Sequence, residues 1–275
     1  MDIINIDNKY NSLNTYIDIV LGDNPKTNGL IIDGEPGFGK TTQVLKKVKE
    51  SKIPYKYIKS YSTPLSLFTI LQENSDKVII LDDCDNLFNN RTAVAILKGA
   101  LDDSSAGRVV QWNSTTSRLL ELGIESEFVF KGKIIIIVNE FNTRNNDIKA
   151  IQSRCYNVTV FFNLKEKLAI LKKFVRKREE RKVFKLLSEF VTEAHTFDLR
   201  VFYKLVSIYT KKGLNALKMA LKDIVVEDEG MVAYFKATRD KSLRVRQQVR
   251  LFSEDSGLSR ATFYRIKKKV SKSHK

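Results

Sequence analysis

The sequence predicts an α/β protein: a five-stranded parallel sheet covered by helices, then an all-helical stretch and a basic helical end. Three observations carry this expectation. Short apolar runs rich in β-branched residues recur at 30–33, 55–59, 78–81, 134–138 and 158–161, with helical patterning between them. Strands buried on both faces of a parallel sheet read this way. From 165 onward the pattern changes to apolar residues at three-to-four spacing, in segments 165–178, 180–193, 198–211 and 214–225. The charge is also uneven: of a net +16, residues 236–275 hold thirteen Lys or Arg against Asp240, Glu254 and Asp255. Those forty residues therefore carry +10, and the other 235 carry only +6.

Taken in order, 4–21 reads as an amphipathic helix closed by a Gly-Asp-Asn-Pro turn at 22–25. Helices at 41–50, 64–72 and 92–101 follow the first three strands, and a helical turn at 148–153 precedes the fifth. Between 102 and 132 the alternation breaks, and 108–112 with 127–130 read as an inserted hairpin. The apolar runs are far too short to span a bilayer, so no membrane partner is expected. The first residues lack the basic and apolar regions of a signal peptide. Cys84 and Cys155 are too few for a disulfide framework or a zinc site, and are expected to be reduced. The expected setting is the cytoplasm of a bacterium or of a virus-infected host cell.

The residues Gly34-Glu35-Pro36-Gly37-Phe38-Gly39-Lys40-Thr41 match G-x-x-x-x-G-K-[ST] between a predicted strand and a predicted helix. The glycines let backbone N–H groups turn toward phosphate oxygens, and the helix that follows aims its positive end at the same anion. Lys40 is expected to neutralise the β- and γ-phosphates of ATP, Thr41 to ligate Mg²⁺ through its hydroxyl, and Thr42 to reach the α-phosphate. A loop of this kind needs a carboxylate for the metal. The apolar strand at 78–81 ends in Asp82 and Asp83. Asp82 suits Mg²⁺ as a hard oxygen ligand, and Asp83 suits the polarisation of an attacking water. Asp85 is expected to be a solvated loop or cap residue.

With these motifs in place, residues 1–226 resemble the AAA+ ATPases. The resemblance implies a polar sensor at the end of the fourth strand, a place taken by Asn139. It implies an arginine finger acting on a neighbouring subunit, for which Arg154 in Ser153-Arg154 and Arg144 in the preceding loop are the two candidates. It further implies a helical lid whose second sensor would be Arg200, within Phe197-Asp198-Leu199-Arg200. The hairpin insert together with Asp82-Asp83-Cys84-Asp85 is similar to small ATPases of phages and mobile elements. Trp112, Arg108 or Arg118 of that insert could stack on or pair with nucleic acid, but a packed structural role for Trp112 is the stronger expectation.

The basic end has its own pattern. Val245, Val249, Leu251 and Phe252 mark a helix, Asp255-Ser256-Gly257 a tight turn, and 258–269 a second helix capped by Ser259. The segment 230–238 can supply a third helix. This arrangement resembles a helix-turn-helix, whose second helix enters the major groove of DNA. Leu258, Ala261, Phe263 and Ile266 are expected to face inward. Ser259, Arg260, Thr262, Tyr264 and Arg265 are expected to contact bases or phosphates, and Lys267 and Lys268 to add salt-sensitive backbone affinity.

The expectation is thus an AAA+ αβ ATPase core at 1–163, an α-helical lid at 164–227 and a basic helix-turn-helix at 228–275. It would bind ATP, Mg²⁺ and DNA, assemble with copies of itself into a ring or filament, and remodel or coat DNA or load a replication-protein client onto it, in replication, recombination or mobile-element maintenance. A protein-remodelling ATPase and an ATP-switched DNA-binding regulator with slow turnover are the alternatives.

Overall fold

The computed structural model describes residues 2–23, 26–60, 62–102, 107–112, 121, 123–139 and 146–273. The chain forms two compact units, 8–160 and 1–7 with 161–275.

The long helix α1 (Asp2–Leu21), which belongs to the first unit from residue 8 onward, leads into strand β1 (Gly29–Gly34) and helix α2 (Lys40–Ser51). Strand β2 (Tyr55–Lys59), helix α3 (Pro64–Glu73) and strand β3 (Val78–Asp82) follow. A 3₁₀ turn at Asp85–Asn89 then precedes helix α4 (Arg91–Ala100). After a two-stranded insert come β6 (Lys133–Val138), helix α5 (Asn146–Ser153) and β7 (Tyr156–Val160). The five main strands lie in the order β2-β3-β6-β1-β7, and every neighbouring pair is parallel. Residues 30–32, 78–81 and 134–137 are all 2% exposed or less. Burial on both faces explains why these strands read as unbroken apolar runs rather than as alternating ones. Asn90 accepts from the N–H groups of Thr92 and Ala93 and so starts α4.

The fifth strand begins earlier than its apolar residues suggest. Tyr156 and Asn157 pair with Leu30 and Ile31 through backbone alone, so the strand covers 156–160 rather than 158–161. The insert is a short antiparallel pair, β4 (Val109–Gln111) with β5 (Glu127–Val129). Its base is packed, as expected for Trp112, whose ring lies 5.6 Å from that of Phe68. Arg108 is likewise committed: it donates to the Gly132 carbonyl at 2.6 Å and stacks 5.5 Å from the centre of Phe130. Arg118 lies outside the described residues.

In the second unit, α6 (Leu164–Phe174) starts at a capping box in which Asn163 and Glu166 exchange hydrogen bonds. It is followed by α7 (Arg178–Phe190) and α8 (Leu199–Ile224). Gly213, at φ 78 and ψ −167, interrupts α8 at the place where the sequence separates 198–211 from 214–225. Leu171, Val183, Leu187, Phe202, Leu205 and Leu217 form the core of these helices. A separate core gathers α9 (Glu229–Thr238), α10 (Val245–Ser256) and α11 (Arg260–Ser273) around Phe252 and Phe263, whose rings meet edge to face at 5.5 Å. Gly257 closes α10 at φ 67. Of the four residues expected to face inward, Phe263 and Ile266 are buried, while Leu258 is 36% exposed and Ala261 is also exposed. The inward stripe is the buried Phe263 and Ile266 with the half-buried Val270, at spacings of three and four, and Ala261 falls off that face.

Candidate nucleotide-binding site

The C-terminal ends of β1, β3 and β6 bring the charged residues of the first unit together. Gly34 ends β1 where β7 runs close beside it: a Cβ there would sit 2.1 Å from the Val160 carbonyl oxygen. Only a residue without a side chain lets the loop leave the sheet at this point. Gly37 (φ 76) and Gly39 (φ 83) then hold the left-handed conformations that curl residues 34–41 over the start of α2. Tyr10 of α1 braces the loop from behind, donating to the Phe38 carbonyl at 2.7 Å. Burial pushes its phenol up to about 12.

Lys40 is 5% exposed, and its ammonium donates to the carbonyls of Gly34 (2.6 Å) and Glu35 (2.8 Å) and to Asn139 Oδ1 (3.2 Å). Burial lowers its pKa to about 8, while Asp33, Asp83, Asp82 and Glu35 pull in the other direction. On the other side of Asn139, its amide Nδ2 donates to Asp83 Oδ1 at 3.1 Å. Asn139, at the tip of the strand between β1 and β3, thus links the loop lysine to the second carboxylate. Asp83 holds φ 55, a conformation uncommon outside glycine and found where surrounding structure over-determines it.

Asp82 and Thr41 form the second pair. Thr41 Oγ1 donates to Asp82 Oδ2 at 3.0 Å, and Tyr57 of β2 donates to the same oxygen at 2.6 Å. Hydroxyl and carboxylate at this distance suit a hard divalent cation. Among the described residues no group of three or more His, Cys, Asp or Glu is placed to hold a metal ion. One hydroxyl and one carboxylate fit Mg²⁺, which takes most of its shell from water and phosphate. Pro36 and Thr42 are exposed at the loop surface, as an approach to phosphate requires. Asp85 is exposed as expected, and burial followed by the neighbouring charge of Asp83 raises its pKa.

The remaining expected residues are not in this cluster. Arg154 lies just before β7, at the opposite end of the sheet from the loop of its own chain. Its Nη1 donates to the Ala150 carbonyl at 2.9 Å, and its Nε is 3.8 Å from Asp102. Arg144 lies outside the described residues. Arg200 is exposed in the first turn of α8, in the second unit, where Asp198 caps the helix by accepting from the Val201 N–H at 2.8 Å. Tyr10 and Tyr57 are the contributors that the sequence reading missed. Neither carries a motif, and their roles depend on packing and strand pairing that one sequence does not display.

This geometry has counterparts among solved structures. Thermotoga maritima RuvB, described as a Holliday junction branch migration motor, superposes with a TM-score of 0.50 at 11% identity over 93% of this chain and 83% of its own. Two point-mutant forms of the same protein give 0.51 and 0.53 at 12% and 10% identity, with coverage of 93–94% of this chain and 83–84% of theirs. The chain shares the α/β fold of RuvB, a five-stranded parallel sheet with flanking helices. At such identity the likeness concerns fold alone. In sequence, a 140-residue segment is 32% identical to an uncharacterised 36.7 kDa protein of bacteriophage T4, from the nrdC-mobD intergenic region. That match spans 49% of this chain and 42% of the phage protein. No protein-family model matches the chain. No helix among the described residues is long and apolar enough to cross a membrane.

The residues expected to touch DNA cluster on and beside α11. Ser259 sits before the helix and accepts from the Thr262 N–H at 3.3 Å. Arg260, Tyr264, Arg265 and Lys268 are exposed, and Thr262 and Lys267 are half-buried. The Arg260 guanidinium lies 5.6 Å from the centre of the Tyr264 ring, so cation and aromatic form one surface.

Proposed function

We propose that this chain is an ATP-dependent, oligomeric, DNA-binding AAA+ ATPase acting in DNA replication, recombination or mobile-element maintenance. The observation that carries it is the linkage of Lys40, Asn139 and Asp83 across three strand ends, beside the Thr41–Asp82 pair. ATP phosphates would draw the Lys40 ammonium from the carbonyls it now serves. Asn139 would then orient a water that Asp83 deprotonates. Mg²⁺, held by Thr41 and Asp82, would supply charge neutralisation on the phosphate tail.

Arg154 supports a composite site. Five paired residues separate its end of β7 from the loop end, roughly 16 Å of strand. It is out of reach of its own nucleotide and would serve a neighbouring copy, completing the site only in an assembly. In the second unit, 164–227 would act as the lid with Arg200 sensing phosphate, and 228–275 would bind DNA through α11. The likeness to RuvB, a Holliday junction branch migration motor, favours a nucleic-acid setting over a protein-remodelling one.

The test is ATP hydrolysis with and without duplex DNA. Wild-type turnover is expected to rise with DNA and to vanish in Lys40→Ala through loss of nucleotide binding. In Arg154→Ala, turnover is lost while nucleotide binding survives. In Lys267→Ala/Lys268→Ala, the slope of log affinity for DNA against log salt falls by about 0.9 per lost phosphate contact. Unchanged nucleotide binding in Lys40→Ala would refute the ATP site; a salt-independent DNA interaction would refute the α11 interface. One observation favours a second reading, an ATP switch with slow turnover: Asp83 is a short carboxylate already tied to Asn139. A turnover that DNA leaves unchanged would select it.

A further inference from the structure

We infer that Tyr57 is the positioning residue for the cation-binding carboxylate Asp82, an inference that rests on the ATP and Mg²⁺ reading of the site. Tyr57 stands on β2, opposite Ile80 of β3 and two residues short of the level of Asp82. Its hydroxyl donates to Asp82 Oδ2 at 2.6 Å, the length of a charge-assisted O–H···O⁻ bond. The same oxygen accepts from Thr41 at 3.0 Å. Two donors converging on Oδ2, one from strand β2 and one from the first turn of helix α2, fix the plane of the carboxylate. The orientation of the group toward a cation is therefore set before the cation arrives.

Two further features single out this spot. The Asp82 carbonyl accepts from the N–H of Ser60, which ends the β2 side of the pair at φ 72. Asp83, which ends the β3 side, has φ 55. Among the described residues only three non-glycine positions are left-handed, and two of them flank this pair of strand ends. Strain held on both sides of one carboxylate marks a site where position is being enforced.

Groups of this kind, bonded to a ligand and not to the metal, typically change metal affinity by about 10- to 100-fold when removed. The experiment titrates Mg²⁺ against binding of a fluorescent ATP analogue, in wild type, Tyr57→Phe, Asp82→Asn and the double variant. In Tyr57→Phe the Mg²⁺ concentration at half-effect is expected to rise by about 10-fold or more. Nucleotide affinity in EDTA is expected to stay within about twofold of wild type, which also reports an intact fold. The double variant is expected to show no loss beyond that of Asp82→Asn, because both changes act through one group. A Mg²⁺ midpoint unchanged in Tyr57→Phe, an equal loss in EDTA, or additive losses in the double variant would each overturn the assignment. Failure of the wild type to bind the analogue in a Mg²⁺-dependent way would instead overturn the function reading.

Discussion

Lys40 sits in a buried position at the end of a sheet, with a pKa lowered to about 8. Raising the pH is therefore a perturbation aimed at one side chain. With that pKa, about nine-tenths of free molecules carry the charge at pH 7 and about one-tenth at pH 9. Phosphate binding requires the ammonium and returns its pKa toward or above the ordinary value. From pH 7 to pH 9 the affinity for ATP is thus expected to fall about tenfold, or about 1.4 kcal/mol. At pH 9 binding is also expected to take up close to one proton. Calorimetry in two buffers of different ionisation enthalpy measures both quantities. Lys40→Arg is the control, since its guanidinium stays charged throughout and its affinity curve is expected to be flat. An affinity that does not change between pH 7 and pH 9 in the wild type would refute the reasoning. Stability follows the opposite sign to a salt-bridged lysine. The folded pKa lies below the unfolded one, so the unfolded chain binds more protons between about 8 and 10.5, and nucleotide-free protein gains stability as pH rises through that window.

Four further outcomes follow from single contacts. Gly34→Ala forces a Cβ to within 2.1 Å of the Val160 carbonyl and is expected to destabilise the unit by about 1–3 kcal/mol and abolish nucleotide binding, as read by chemical denaturation and analogue binding. Gly39→Ala meets open space but must keep φ 83, so about 1–2 kcal/mol of backbone strain is its whole cost. Phe263→Ala empties the centre of the three C-terminal helices and is expected to cost them about 3–5 kcal/mol, with DNA binding lost and ATP binding retained. Lys133→Met removes the donor that serves the Leu21 and Gly22 carbonyls at the end of α1, and a melting curve is expected to show about 1–3 kcal/mol of lost stability.

The strands were legible because double-sided burial leaves a continuous apolar string, and 78–81 and 134–138 fall within β3 and β6. The loop at 34–41 was legible because its glycines answer a local backbone demand. Asn139 was placed by resemblance, and its double hydrogen bond explains why an amide suits the position, since one end must accept and the other donate. Tyr57 escaped because the alternation Tyr55-Lys56-Tyr57-Ile58 says which residues share a face, not which strand lies alongside. Leu258 was misplaced because it precedes α11, which starts only at Arg260; Ala261 was misplaced because helix periodicity gives the width of an apolar stripe, while the neighbours decide its centre. Here Phe263 occupies that centre, with Tyr234 and Phe252 both within 5.5 Å of its ring.

The strand order has a consequence for what the pocket can discriminate. With β6 lying between β1 and β3, the lysine loop and the acidic strand end stand two inter-strand steps apart, roughly 9.6 Å. Asn139 rises from the middle strand and spans that gap in both directions. The width of the cleft is thus dictated by main-chain hydrogen bonding, the least variable dimension in a protein. On the proposed reading, such a cleft would work as a calliper for a polyphosphate tail and be blind to the base attached to it. Any preference for adenine over guanine must then be written elsewhere, in side chains that can change without disturbing the calliper.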